Sequence, residues 1–141
     1  MTNTELDFLS AVSDLRSSNI TKATLDIMRR MVEQGLSSRL MEQATLVEAD
    51  QDEYKLIVGI QRSLEAMAQF DCPLACILMS DLWSLAGSVH EVSDGIGLWL
   101  VDDNCNSVDL ERHLRRLASS DHDPGIRKYF QEICEVKYGK L

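Results

Sequence analysis

The chain is poor in the residues that interrupt regular structure. Its 141 residues include only two prolines and seven glycines. A disordered tail or a long flexible linker is normally rich in such residues, so neither is expected here. Runs of β-branched residues are also few, whereas the good helix formers Leu, Ala, Met, Glu and Arg are frequent. The length suits one domain with its own hydrophobic core. We therefore expect a single all-α domain that covers residues 1–141.

The sequence also lacks the motifs that indicate common kinds of enzyme. It contains no GxxxxGK[ST] phosphate loop, no GxGxxG dinucleotide fingerprint, no HExxH zinc motif and no GxSxG nucleophile elbow. Residues 102–106 begin like a calcium loop, with acidic and amide side chains at alternate positions. The pattern then fails, because Ser107 stands where glycine is needed and His113 where a bidentate glutamate belongs. We expect neither a cofactor nor a metal.

Positive charge is scarce. Lys and Arg together number 14 against 23 Asp and Glu, which gives a formal net charge of −9. An acidic surface repels phosphate backbones, so direct binding of nucleic acid is not expected. The same charge would attract a basic protein and speed the encounter. It would also keep the protein soluble without any partner.

One long apolar stretch, residues 73–92, organises the prediction of the fold. Its apolar residues recur at spacings of three and four on two helical faces, and Asp81 is the only charge between Asp71 and Glu91. A helix that is apolar on two faces is normally enclosed by its neighbours. Polar residues interrupt the stretch before it reaches the roughly 20 apolar residues that a membrane span requires. We predict a compact bundle of six to seven short helices around this buried central helix.

The four cysteines are Cys72, Cys76, Cys105 and Cys134. The first 20 residues lack the apolar core of a secretory signal, so a cytoplasmic location with buried, reduced thiols is expected. Cys72 and Cys76 lie one helical turn apart, which suits a metal better than a mutual disulfide. A zinc site needs about four ligands, however, and no second close pair of Cys or His follows.

The segment 93–104 has no clear secondary structure. Asp94 and Gly95 predict a turn. The apolar run 96–101 is short for a helix, so either an extended segment or a short helix remains open. Trp99 has two interpretations: it is an exposed anchor for a partner, since Trp is enriched in interface hot spots, or it closes the core.

These features favour a non-enzymatic cytosolic protein-binding module. More specifically, we predict an acidic inhibitor or immunity-type protein that occludes a basic protein such as a nuclease toxin. Carboxylates would pair with Lys or Arg at the rim of the contact, and a buried aromatic residue would anchor its centre. The residues predicted to contact the partner are Asp50, Asp52, Glu53, Asp94, Trp99, Asp102 and Asp103. Asp50 and Glu53 have a second interpretation, as a capping box that starts a helix.

Two other functions remain open. One is a helical adaptor that binds a partner helix in an apolar groove. The other is a small enzyme or metal protein that uses His90 and Asp94, an i,i+4 pair suited to a general base and its orienting carboxylate. A homo-oligomer is compatible with each of these functions.

Overall fold

Eight α-helices and no β-strand make up the part of the chain that the computed structural model describes, residues 2–86, 90–120 and 123–139. The all-α prediction is confirmed, with more helices than the six to seven expected. The helices are α1 (Asn3–Ser17), α2 (Lys22–Glu33), α3 (Ser37–Ala44), α4 (Glu53–Ala68), α5 (Cys72–Ala86), α6 (His90–Leu100), α7 (Val108–Ala118) and α8 (Pro124–Tyr138).

Short polar side chains set the starts of most of these helices, because their oxygens accept hydrogen bonds from the unpaired N–H groups of the first turn. The capping residues are Thr2, Thr21, Asp52, Ser107 and Asp123. Asp52 accepts from the backbone nitrogen of Lys55 at 3.2 Å. The alternative that Asp50 caps this helix is therefore wrong.

Helix α5 lies at the centre of the bundle, as predicted. Ten of its 15 residues are buried, and it packs against α2, α3, α4, α6 and α7. It ends at Ala86 and α6 begins at His90, so the predicted helix 73–92 falls on two helices. Residues 87–89 lie outside the described part of the chain. The prediction that this helix is buried is confirmed for residues 74–82, whose side chains are all buried.

Helix α6 corrects the prediction for residues 93–104. Asp94 and Gly95 do not form a turn, because both lie within the helix, and residues 96–100 are helical with them. A Cβ at Gly95 would overlap the side-chain amide of Gln61 on α4, so that flexible side chain would have to move to admit a larger residue. Gly95 thus lets α6 approach α4 closely.

Three aromatic rings join α8 to the central helix. The rings of Trp83 and Tyr129 stack with centroids 3.7 Å apart, and Phe130 meets both edge-on. Phe130 is fully buried. Such pairs contribute about 0.5–1.5 kcal/mol each beyond the burial of their area.

Tyr129 makes the stability of the fold sensitive to alkaline pH. Burial, with a smaller contribution from the charge of Asp94, raises the pKa of Tyr129 from 10.0 to about 12. Its hydroxyl ionises at lower pH in the unfolded chain than in the folded protein. The contribution of Tyr129 to the free energy of unfolding should therefore hold below pH 10 and fall as the pH rises from 10 to 12.

Urea unfolding of the wild-type protein and Tyr129→Phe across this pH range tests the effect. The variant should lose less stability between pH 10 and 12 than the wild type. It should keep part of the dependence, because burial also raises the pKa of Tyr138 to about 12 and that of the Cys76 thiol to about 11. Identical pH profiles for the two proteins would show that the Tyr129 hydroxyl does not contribute.

No helix in the described residues combines the length and the apolar character needed to cross a lipid bilayer.

Candidate functional site

The predicted contact residues fall into two groups. Asp50, Asp52 and Glu53 are exposed at the connection between α3 and α4. Asp52 also caps α4, so its carboxylate has a structural role. The second group lies on and just after α6.

The second group lies on both sides in sequence of an exposed apolar residue that sequence reasoning missed. Asp94 and Leu98 lie one turn apart on α6, and Leu98 is 75% exposed. Asp102 and Asp103 follow the end of the helix and are exposed as well. We call these four residues the α6 surface. The run 96–101 contains several large apolar residues, so its sequence did not show which of them would face solvent.

Trp99 is neither fully exposed, as an anchor for a partner would be, nor fully buried in the core. It is half-buried and packs against the core, and its indole nitrogen donates to Oε2 of Glu65 at 3.2 Å. This bond ties α6 to α4. Leu98 therefore presents more apolar surface to solvent than Trp99, and contact between Trp99 and a partner remains a prediction.

The position of the histidine proposed as a general base is only partly known. His90 begins α6, but its side chain lies outside the described residues. Asp94 is exposed. The suggested pairing of the two side chains therefore stays a prediction.

Three of the four cysteines come together. Cys72 and Cys105 form a disulfide with Cα atoms 5.5 Å apart, so the expectation of reduced thiols is wrong for these two residues. The Sγ atom of Cys76 lies 3.2 Å from that of Cys105. All three sulfur atoms lie within 4.8 Å of one another. We call Cys72, Cys76 and Cys105 the cysteine cluster. Cys105 is 33 residues from Cys72 in the chain, so only the tertiary fold reveals the cluster.

Electrostatics around the cluster are set by burial and by one lysine. Burial raises the pKa of the Cys76 thiol to about 11, while the charge of Lys137 acts in the opposite direction. The ammonium of Lys137 donates to the carbonyl oxygens of Leu100 at 2.9 Å and Cys105 at 2.6 Å. Burial lowers the pKa of Lys137. These bonds hold α8 against the loop that carries Cys105.

A buried carboxylate with a histidine partner lies elsewhere in the core. Nε2 of His113 on α7 is 3.0 Å from Oδ1 of Asp81, whose side chain is only 2% exposed. Ser38 donates its hydroxyl to the same oxygen at 3.3 Å. Oδ2 of Asp81 has no hydrogen-bond partner among the described residues. Asp81 is the only charged residue of the buried helix α5, and a buried charge requires a partner. The sequence therefore indicated that a polar residue elsewhere in the chain contacts Asp81, although it did not identify that residue.

This arrangement does not form a catalytic triad. In a triad the histidine contacts the hydroxyl and takes its proton. Here the carboxylate of Asp81 stands between Ser38 and His113, so the serine is not activated. His113 also lines a surface cavity of about 340 Å³ together with Glu33, Arg112 and Arg116. We interpret the contact with His113 as an interaction that stabilises the buried carboxylate of Asp81.

Comparison with known proteins gives no relative: no family model, no curated protein and no solved structure matches this chain.

Proposed function

We propose that this protein is a non-enzymatic binding module that holds a basic protein on the α6 surface. In its most specific form, the proposal is an inhibitor of the immunity type, which occludes the basic active surface of a partner such as a nuclease toxin. The observation that carries the proposal is the exposed Leu98, with the exposed carboxylates of Asp94 one turn before it on α6 and of Asp102 and Asp103 just after the helix.

This arrangement resembles the anatomy of a protein interface. Protein contacts commonly have an apolar centre and a polar rim. A single exposed leucine is ordinary by itself. Its position among carboxylates, on a protein of net charge −9, favours a partner with Lys or Arg around a hydrophobic pocket.

One hydrogen bond and one disulfide hold the α6 surface in place. The Trp99–Glu65 hydrogen bond fixes α6 to α4. The disulfide joins the start of α5 to Cys105, whose backbone nitrogen donates to the carbonyl oxygen of Asp102 at 3.1 Å. A surface that is already ordered loses less conformational entropy on binding, which favours affinity.

The first test compares two apolar side chains of equal fractional exposure. Leu98 and Val108 are both 75% exposed, but Val108 lies at the start of α7. Immobilised wild-type protein, Leu98→Asp and Val108→Asp would each be used to capture proteins from the native source. The proposal expects a basic protein whose affinity falls about tenfold or more with Leu98→Asp and stays unchanged with Val108→Asp. Equal capture by all three proteins would refute a role for Leu98.

The second test separates the local carboxylates from net charge. Asp102→Lys/Asp103→Lys and Glu132→Lys/Glu135→Lys change the net charge equally, and all four residues are exposed. Only the first pair should weaken binding strongly, and it should also reduce the sensitivity of binding to salt. If both pairs weaken binding equally, overall charge explains the attraction and the α6 surface does not.

A groove between α1 and α3 supports the adaptor alternative. It encloses about 440 Å³ and its lining includes Phe8, Leu9, Leu36 and Arg39. Leu9 is 54% exposed, so apolar surface is available to a partner helix there. An adaptor of this kind would lose its partner with Leu9→Asp, keep it with Leu98→Asp, and bind with little dependence on salt.

A further inference from the structure

The three sulfur atoms of the cysteine cluster lie at the corners of a triangle. Cys76 lies 3.2 Å from Cys105, Cys72 is bonded to Cys105, and all three sulfurs are within 4.8 Å of one another. Tetrahedral zinc binds thiolates at about 2.3 Å, which places pairs of sulfur atoms about 3.8 Å apart. Small side-chain rotations bring the three sulfurs to that spacing once the Cys72–Cys105 bond is broken.

We propose that the reduced cysteine cluster is a zinc site in which Cys72, Cys76 and Cys105 are the protein ligands. Among the described residues no fourth Cys, His or carboxylate joins the cluster. Zinc usually takes four ligands, so the fourth position would hold water or a small thiol. Cys72 is the most exposed of the three residues and gives solvent access to that position.

The local charges fit such a site. Three thiolates around one Zn²⁺ leave a single negative charge in a largely buried place, and a buried charge is costly without a partner. The ammonium of Lys137 is fixed to the carbonyl of Cys105 at 2.6 Å and supplies the opposite charge. Lys137 therefore offsets the charge of the zinc form in part, while the nearby carboxylates of Asp102 and Asp103 act in the opposite direction.

A simple disulfide explains the cluster less well. The Cys72–Cys105 bond needs no third sulfur beside it. Exchange of the disulfide with Cys76 would need the three sulfur atoms in a line. The triangular arrangement suits a shared metal ion better than in-line attack.

The chemistry requires a reductant. A phosphine reduces the Cys72–Cys105 disulfide to two thiols and becomes a phosphine oxide, with the oxygen taken from water. Zn²⁺ then replaces the three thiol protons, which pass to the solvent. In a cell, a protein dithiol would reduce the bond and become a disulfide itself.

The test measures zinc in the full-length protein after reduction with a phosphine and removal of excess metal. Reduced wild type and Cys134→Ser, which changes the cysteine outside the cluster, should each hold one zinc per chain. Cys76→Ser should bind zinc at least tenfold more weakly, although it retains the disulfide pair and so folds when oxidised. Substitution with Co²⁺ should give a thiolate-to-metal charge-transfer band in the wild type and a weaker one in Cys76→Ser.

Circular dichroism covers the case in which reduction loosens the fold. Any helicity lost on reduction should return when zinc is added, because metal binding is coupled to folding. The proposal is overturned if the reduced wild type binds no zinc. It is also overturned if Cys76→Ser binds zinc as tightly as the wild type, or if the oxidised protein binds it equally well.

Discussion

Replacing His113 with alanine should lower the free energy of unfolding by about 1–3 kcal/mol, because it removes a hydrogen-bond partner of a buried carboxylate. The reason is the partner that the histidine leaves behind. Asp81 is 2% exposed, and its Oδ1 contacts His113 Nε2 at 3.0 Å. Without the imidazole, the carboxylate of Asp81 keeps only the hydroxyl of Ser38 at 3.3 Å as a partner among the described residues. Urea denaturation followed by circular dichroism measures the loss.

Two further variants separate this effect from the loss of packing. Arg112→Ala lies on the same helix and removes an exposed ion pair with Asp109, which should cost less than about 1 kcal/mol. Adding Asp81→Asn to His113→Ala should recover part of the stability, because it removes the uncompensated charge. A loss for His113→Ala no larger than that for Arg112→Ala would show that the pair does not support a buried charge.

Replacing Leu78 with alanine should cost about 2–5 kcal/mol, because it opens a cavity at the centre of the bundle. Leu78 is fully buried on α5. Leu85, two turns later on the same helix, is 46% exposed and provides the matched control. Leu85→Ala should cost less than about 1.5 kcal/mol, since half of its side chain already contacts water.

Both variants are measured by the same urea denaturation. Similar losses from the two positions would mean that the middle of α5 is no more enclosed than its end. That result would contradict the placement of this helix at the core.

The periodicity of the sequence predicted the helical fold and its centre well. Apolar residues on two faces of 73–92 required enclosure, and residues 74–82 within that stretch are buried. Helix starts such as Asp123 before Pro124 depend on local chemistry in the same way. The helices and their starts can be predicted from sequence because residues close together in the chain determine them.

The errors arose where distant parts of the chain decide the structure. Asp94 and Gly95 have the composition of a turn, but both lie within α6, where Gly95 lies beside Gln61 of α4. The disulfide partner of Cys72 lies in a separate loop, and the partner of Asp81 lies 32 residues away on α7. Sequence spacing does not show such meetings.

The candidate site was predicted in part. Asp102 and Asp103 are exposed as a contact surface requires. The apolar centre was expected at Trp99, but the bond from its indole to Glu65 and its packing leave Leu98 as the more exposed residue. A helical stripe shows which residues share a face, and only the position of α4 shows which face is covered.

Burial of α5 leaves the outer helices as the places where a partner can bind, and the α6 surface combines exposed apolar area with negative charge. Amide hydrogen exchange, measured on the protein alone and in complex with its captured basic partner, tests this account most directly. The account predicts slow exchange throughout residues 74–82 in both states and new protection in peptides that cover 94–103. Rapid exchange in α5, or protection confined to the groove between α1 and α3, would contradict it.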